Sequence, residues 1–99
     1  QMIRFQMYRR NVPIDTHNED QRGSPSEVQY EGVIFSDGSC AIRWRTAVKS
    51  TSVWASFDDL LRIHGHPEYG SELVWTDTPS DELRSVAQGH GFAGGGLCR

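Results

Sequence analysis

His64-Gly65-His66 is the densest group of soft donor atoms in the sequence, with Cys40, Cys98, His17 and His90 scattered elsewhere. Zinc asks for three or four nitrogen or sulfur ligands in a tetrahedron. An H-x-H pair supplies two, and neither cysteine stands at a ligand spacing from it, so no metal site is expected. His64 has a simpler use at the end of a short helix, beside the last carbonyls and the negative pole of the dipole. Covalent catalysis needs a partly exposed, low-pKa thiolate, or a serine beside a base. Cys40 falls inside a strand and Cys98 in a glycine-rich tail. Turn and cap positions account for several of Ser36, Ser39, Ser50, Ser52 and Ser56, and no G-x-S-x-G elbow is present. Asp58-Asp59 reads as negative charge in the first turn of a helix. Gly94-Gly95-Gly96 has neither the helix nor the lysine of a phosphate loop. No enzymatic activity and no cofactor are expected.

These residues need elements to hold them. Ninety-nine residues suffice for one small domain, and 36 % apolar content gives it a thin core. No apolar run reaches the roughly 20 residues of a membrane span. Arg4, Arg9 and Arg10 are not followed by the apolar stretch of a secretory leader, and none is expected. Ile3, Phe5 and Met7 alternate with Arg4, Gln6 and Tyr8, the period of a strand over 2–8. Residues 9–27 are polar, with two prolines, and read as a long loop. Tyr30 to Arg45 is a hairpin, with Asp37-Gly38 as the two residues of a type I′ turn. That turn pairs Phe35 with Cys40, Val33 with Ile42 and Glu31 with Trp44 on an inward face. Ile34–Ala41, Gly32–Arg43 and Tyr30–Arg45 then lie on the outward face. Gly32 weakens its strand unless a bulge or a close contact requires it.

Thr51 to Ala55 is a further short strand. Ser56 caps a helix over 57–64, with Gly65 as its left-handed end and Pro67 forbidding continuation. Glu72 to Thr76 is another strand, and Thr78-Pro79 opens a second helix that Gly89 ends. The fold class expected is α+β: a mostly antiparallel sheet of four to five strands with one or two short helices on one face. The domain spans 1–88, and 89–99 is a flexible tail with Phe92 or Leu97 as an anchor.

What remains is binding. Net charge is −3, split as +1 over residues 1–49 and −4 over 50–99, which favours weak steering or self-association over strong polyanion binding. Three tryptophans are many for a small domain to bury. Exposed tryptophan near arginine is a common interface anchor, so Tyr30, Arg45, Trp54 and Trp75, with the 9–27 loop, are the candidate protein-binding residues. The alternative is a nucleic-acid platform of Arg4, Arg43 and Arg45, joined by Arg9, Arg10 and Lys49, with Tyr8 and Tyr30 interleaved on the outer sheet face. A pI near 5.7 stands against it.

Tyr30-Glu31-Gly32-Val33-Ile34-Phe35-Ser36-Asp37-Gly38-Ser39-Cys40-Ala41-Ile42-Arg43-Trp44 resembles the pattern (Y/W)-x-G-V-x-F-x-D-G-(S/T)-x-A-x-R-W of small uncharacterised proteins of actinobacteria and their bacteriophages. Ser50 to Ser56, Arg62 to Pro67 and Val74-Trp75 are similar too, so the resemblance covers about residues 28–76. It implies a cytoplasmic product of a phage or mobile element. Such a product would act on a host or phage protein, with inhibition of a host factor or defence system as one form of action. It implies no activity.

Overall fold

The computed structural model describes residues 1–12, 23–92 and 96–97. The alternation at the start of the chain makes β1, Ile3–Arg9, and it turns Ile3, Phe5, Met7 and Arg9 inward. β1 does not lie at an edge. With β2 (Val28–Ile34), β3 (Cys40–Trp44), β4 (Thr51–Trp54), β5 (Ser71–Trp75) and β6 (Gly96–Leu97) it forms a sheet of order β4-β3-β2-β1-β5-β6. The first five strands pair antiparallel, and two-residue β6 adds parallel to β5. Helices α1 (Phe57–His64) and α2 (Asp81–Gly89) cover one face: Phe57, Leu60, Leu61 and Ala87 join Phe5, Met7, Ile42 and Trp75 in one core. The α+β class is as the sequence predicts. The chain crosses over through α1 between strands of like direction, β4 and β5, with three strands between them.

The hairpin departs from the prediction by one residue. Gly38 N–H donates to the Phe35 carbonyl (2.9 Å) and Phe35 N–H to the Ser39 carbonyl (2.8 Å). The loop is therefore three residues, Ser36-Asp37-Gly38, with Gly38 as a left-handed bulge at φ 93°. Asp37 Oδ1 fastens it by accepting from the Ser39 N–H (2.9 Å) and hydroxyl (2.6 Å). A shift of one in register inverts one strand relative to the other. Ile34 now faces Cys40 and Tyr30 faces Trp44. Cys40, Ile42 and Trp44 keep the inward side predicted for them, but β2 is reversed. Tyr30 and Ile34 are buried, Glu31 points out, and Phe35 is 37 % exposed.

Gly32 sits in mid-strand because Phe5 occupies the space above it. A Cβ there would lie 2.5 Å from Phe5 Cζ, 2.8 Å from the Ala41 oxygen and 2.9 Å from Ile42 Cγ2. Three neighbours, one of them backbone, cannot all yield. Gly32→Val is expected to lower unfolding free energy by about 1–3 kcal/mol through overpacking. A urea titration showing no loss would contradict this packing.

The helix ends are partly as predicted. Ser56 Oγ accepts from the Asp59 N–H at 3.1 Å. Gly65 is right-handed (φ −69°), and His66 (φ 44°) takes the left-handed turn instead. Gly65 is needed for space, since a Cβ would collide with the Leu61 carbonyl oxygen. The second helix is capped by Ser80, which accepts from the Leu83 N–H at 3.2 Å, and not by Thr78. The N–H groups of Thr76 and Asp77 both donate to the Arg4 carbonyl (2.9 and 3.3 Å), which holds the chain against β1 for two residues longer. Phe92 is buried in the core, the anchor role allowed for it, while Leu97 belongs to β6. The Asn11 and Arg10 N–H groups donate to Tyr69 and Gly70 carbonyls, and the centre of the expected 9–27 loop lies outside the described residues.

Candidate functional site

Two of the four candidate protein-binding residues are not on the surface. Trp75 is 1 % exposed, with its ring 5.5 Å from Phe57 and 6.2 Å from Phe5. It pairs with Phe5 in the middle of the sheet, under the helices, where the largest side chain fills the most space. Tyr30 is fully buried because the three-residue loop turned β2 over. Burial raises its phenol above its ordinary pKa, against the pull of Arg9. The expected Tyr30–Arg45 pair therefore does not form. Arg45 is on the outer face, 3.9 Å from the Glu31 carboxylate. Trp54 is half-buried on the inner face of β4, with Nε1 donating to Ser52 Oγ at 3.0 Å.

Arg9, placed by sequence reasoning at the start of the polar loop and among the outer-face arginines, turns inward instead and is the most enclosed charge among the described residues, at 4 % exposure. The signal was present: Ile3, Phe5, Met7 and Arg9 share one face of a strand. Its guanidinium lies 5.5 Å from the Trp44 ring centre and 5.7 Å from those of Tyr30 and Tyr69. It donates to the His64 carbonyl, and the Tyr30 hydroxyl donates to the same oxygen at 3.0 Å. The last carbonyl of α1 thus receives a cation and a neutral donor. The helix end is capped from the sheet rather than by the His64 side chain. Burial lowers the Arg9 pKa, with Tyr30, Tyr69 and Glu68 opposing. Among the described residues no carboxylate forms an ion pair with it.

The His64 ring stands edge-on between Trp44 (5.0 Å) and Trp54 (5.2 Å). Burial, then Arg9 and His66, lowers its pKa. His66 instead stacks on Tyr69 (4.5 Å, 10°), with Nδ1 3.0 Å from Glu68 Oε2. The two rings have different partners. Among the described residues no three of His, Cys, Asp and Glu gather as a metal would need. Burial lifts the Cys40 thiol to about 11, and its S–H faces the Ser56 carbonyl at 3.6 Å. His17 and Cys98 lie outside the described residues.

The three arginines of the nucleic-acid alternative do share the outer face, beside an open depression of about 450 Å³ lined by Arg4, Gln6, Glu31 and Arg43. Two of the three charges, Arg4 and Arg45, have carboxylate partners. Arg4 Nε and Nη2 grip the Asp77 carboxylate at 2.9 Å each, which holds that acid at about 2. Arg43 donates to Thr51 Oγ1 at 3.2 Å.

Exposed large apolar side chains stand along the segment that runs from just before β4 into α1, as Met2 and Phe35 do elsewhere. Val53 is 72 % exposed on the outer face of β4 and Val48 63 % just before it. Ile63 of α1 is 52 % exposed. Asp58 of α1 reaches His90 beyond the end of α2 (2.7 Å), and Ile63 lies on the opposite flank of that helix, away from α2. Sequence reasoning passed over Val53 and Ile63. The alternation of Thr51 to Trp54 separates Val53 from the inward set, and Ile63 falls off the stripe of Phe57, Leu60, Leu61 and His64.

Residues 27–77 match a family model described as Acb5 phage protein. The chain belongs to the Acb5 phage protein family. No curated protein and no solved structure matches it. The Acb5 segment runs from just before β2 to just past β5, and so contains β4, α1, Trp54 and Ile63. It omits β1, although β1 is the strand between β2 and β5 and supplies Arg9. None of the described helices is long and apolar enough to cross a membrane.

Proposed function

We propose that this phage protein acts without catalysis, by binding another protein of the host or the phage in the host cytoplasm, and that its docking surface is the β4 end of the sheet. The observation that carries this reading is the exposure of Val48, Val53 and Ile63, each more than half exposed, on or next in sequence to the edge strand that also holds half-buried Trp54. Apolar side chains left in water are what an interface offers before its partner arrives. Arg45, which follows β3, supplies rim charge. Interference with a host factor or defence system is the form of action that fits a small phage product of this kind.

Affinity capture from host lysate tests it, using the wild type, Ile63→Lys and Trp54→Ala. The expected result is a protein retained by the wild type and reduced at least tenfold by Ile63→Lys, with unchanged circular dichroism. Equal retention by all three would overturn the docking surface. The alternative reading rests on Arg4, Arg43 and Arg45 sharing one face. It requires nucleic-acid binding that weakens roughly tenfold or more from 50 to 200 mM salt.

A further inference from the structure

We propose that the β4 end takes a second copy of this chain, by antiparallel pairing of β4 with β4 about a two-fold axis at Ser52. This shares with the reading above only that this end of the sheet is a docking surface; the occupant named here is a second copy. The backbone comes first. Trp44 N–H donates to the Ser50 carbonyl at 2.9 Å, and the β3–β4 register continues as Ile42↔Ser52 and Cys40↔Trp54. Hydrogen-bonded and non-bonded pairs alternate in an antiparallel ladder. Ser50, Ser52 and Trp54 therefore turn their amides toward β3, while Thr51 and Val53 turn theirs outward. No described strand pairs with that side, whereas the other end of the sheet carries β6.

An edge of this kind is usually blunted by lysine, proline or a bulge. Thr51-Ser52-Val53-Trp54 has none of these. The edge is also self-complementary. Thr51 opposite Val53 of the second copy, and Val53 opposite its Thr51, make two hydrogen-bonded pairs and four bonds, with Ser52 facing Ser52 between them. The axis is perpendicular to the sheet, so the helices of both copies lie on one face and the sheet continues through the contact. Val53 on the outer face and Ile63 on the helical face then flank the joint from either side.

Charge selects a second copy over an arbitrary strand. Lys49 stands just before β4, and exposed Asp59 stands in the first turn of α1 just after it. Antiparallel pairing puts the basic end of each copy beside the acidic end of the other. A joint of four residues per side is small against the roughly 1,000 Å² of a stable interface, so the dimer is weak and concentration-dependent.

Sedimentation equilibrium of the purified chain tests this. The weight-average mass is expected to rise from 11.2 kDa toward twice that value between low micromolar and millimolar protein. Val53→Pro removes only an outward N–H, a place where an edge strand tolerates proline, and should weaken self-association at least tenfold. Lys49→Glu and Asp59→Lys should each weaken it roughly threefold, and the double reversal should restore it. A chain that stays monomeric throughout, or a double reversal no better than either single change, overturns the pairing. A monomer that still captures a lysate protein through Ile63 overturns the pairing alone and leaves the docking surface standing.

Discussion

Trp75→Ala is expected to cost about 3–5 kcal/mol of unfolding free energy, the range for emptying a buried aromatic site. Its ring is enclosed between Phe5 and Phe57, at the junction of β1, β5 and α1, and no single neighbour can move to fill the space. A domain of this size has about 5–15 kcal/mol in total, so the variant would stand close to unfolding at room temperature. Trp54→Ala makes the comparison informative. That ring is half-buried at an edge, and its loss should cost about 1–2 kcal/mol. Urea titrations followed by far-ultraviolet circular dichroism give both numbers. Equal costs for the two tryptophans would mean that the inside and outside of this sheet are wrongly assigned.

The same pair shows how far the sequence reaches. Composition counted three tryptophans and asked whether a small domain can bury them; it could not say which. Trp75 is buried because β5 pairs with β1 in the centre of the sheet, and strand order is a long-range property that no local pattern records. The strands, the Ser56 cap and the α+β class were legible, because alternation and capping are local. The hairpin was legible as a hairpin and not in register. Asp37-Gly38 suits a two-residue turn and also a three-residue loop with the glycine as bulge, and the bonds from Ser39 to Asp37 decide between them. That one residue moved Tyr30 from the candidate surface to the core. Arg9 was missed for a different reason. Charge reads as the end of a strand, whereas ring faces and a helix carbonyl can solvate a guanidinium inside a protein.

That solvation leads to the second large effect. Arg9→Ala is expected to cost about 2–3 kcal/mol. The truncation opens a void among Tyr30, Trp44 and Tyr69 and removes a cationic donor from the last carbonyl of α1. The sum is held down by one gain, since the charge no longer has to be taken out of water. Arg9→Met separates these contributions. Methionine fills much the same volume and carries no charge, and the Tyr30 hydroxyl still donates to the His64 oxygen. It is expected to lie within about 1.5 kcal/mol of the wild type. Arg9→Lys keeps the charge but lacks the flat surface that lies against three rings, and should fall between the two. If methionine proves as costly as alanine, the cation itself ties α1 to the sheet. If lysine proves the worst of the three, the cage tolerates a guanidinium only because its charge is spread over a plane the rings can cover.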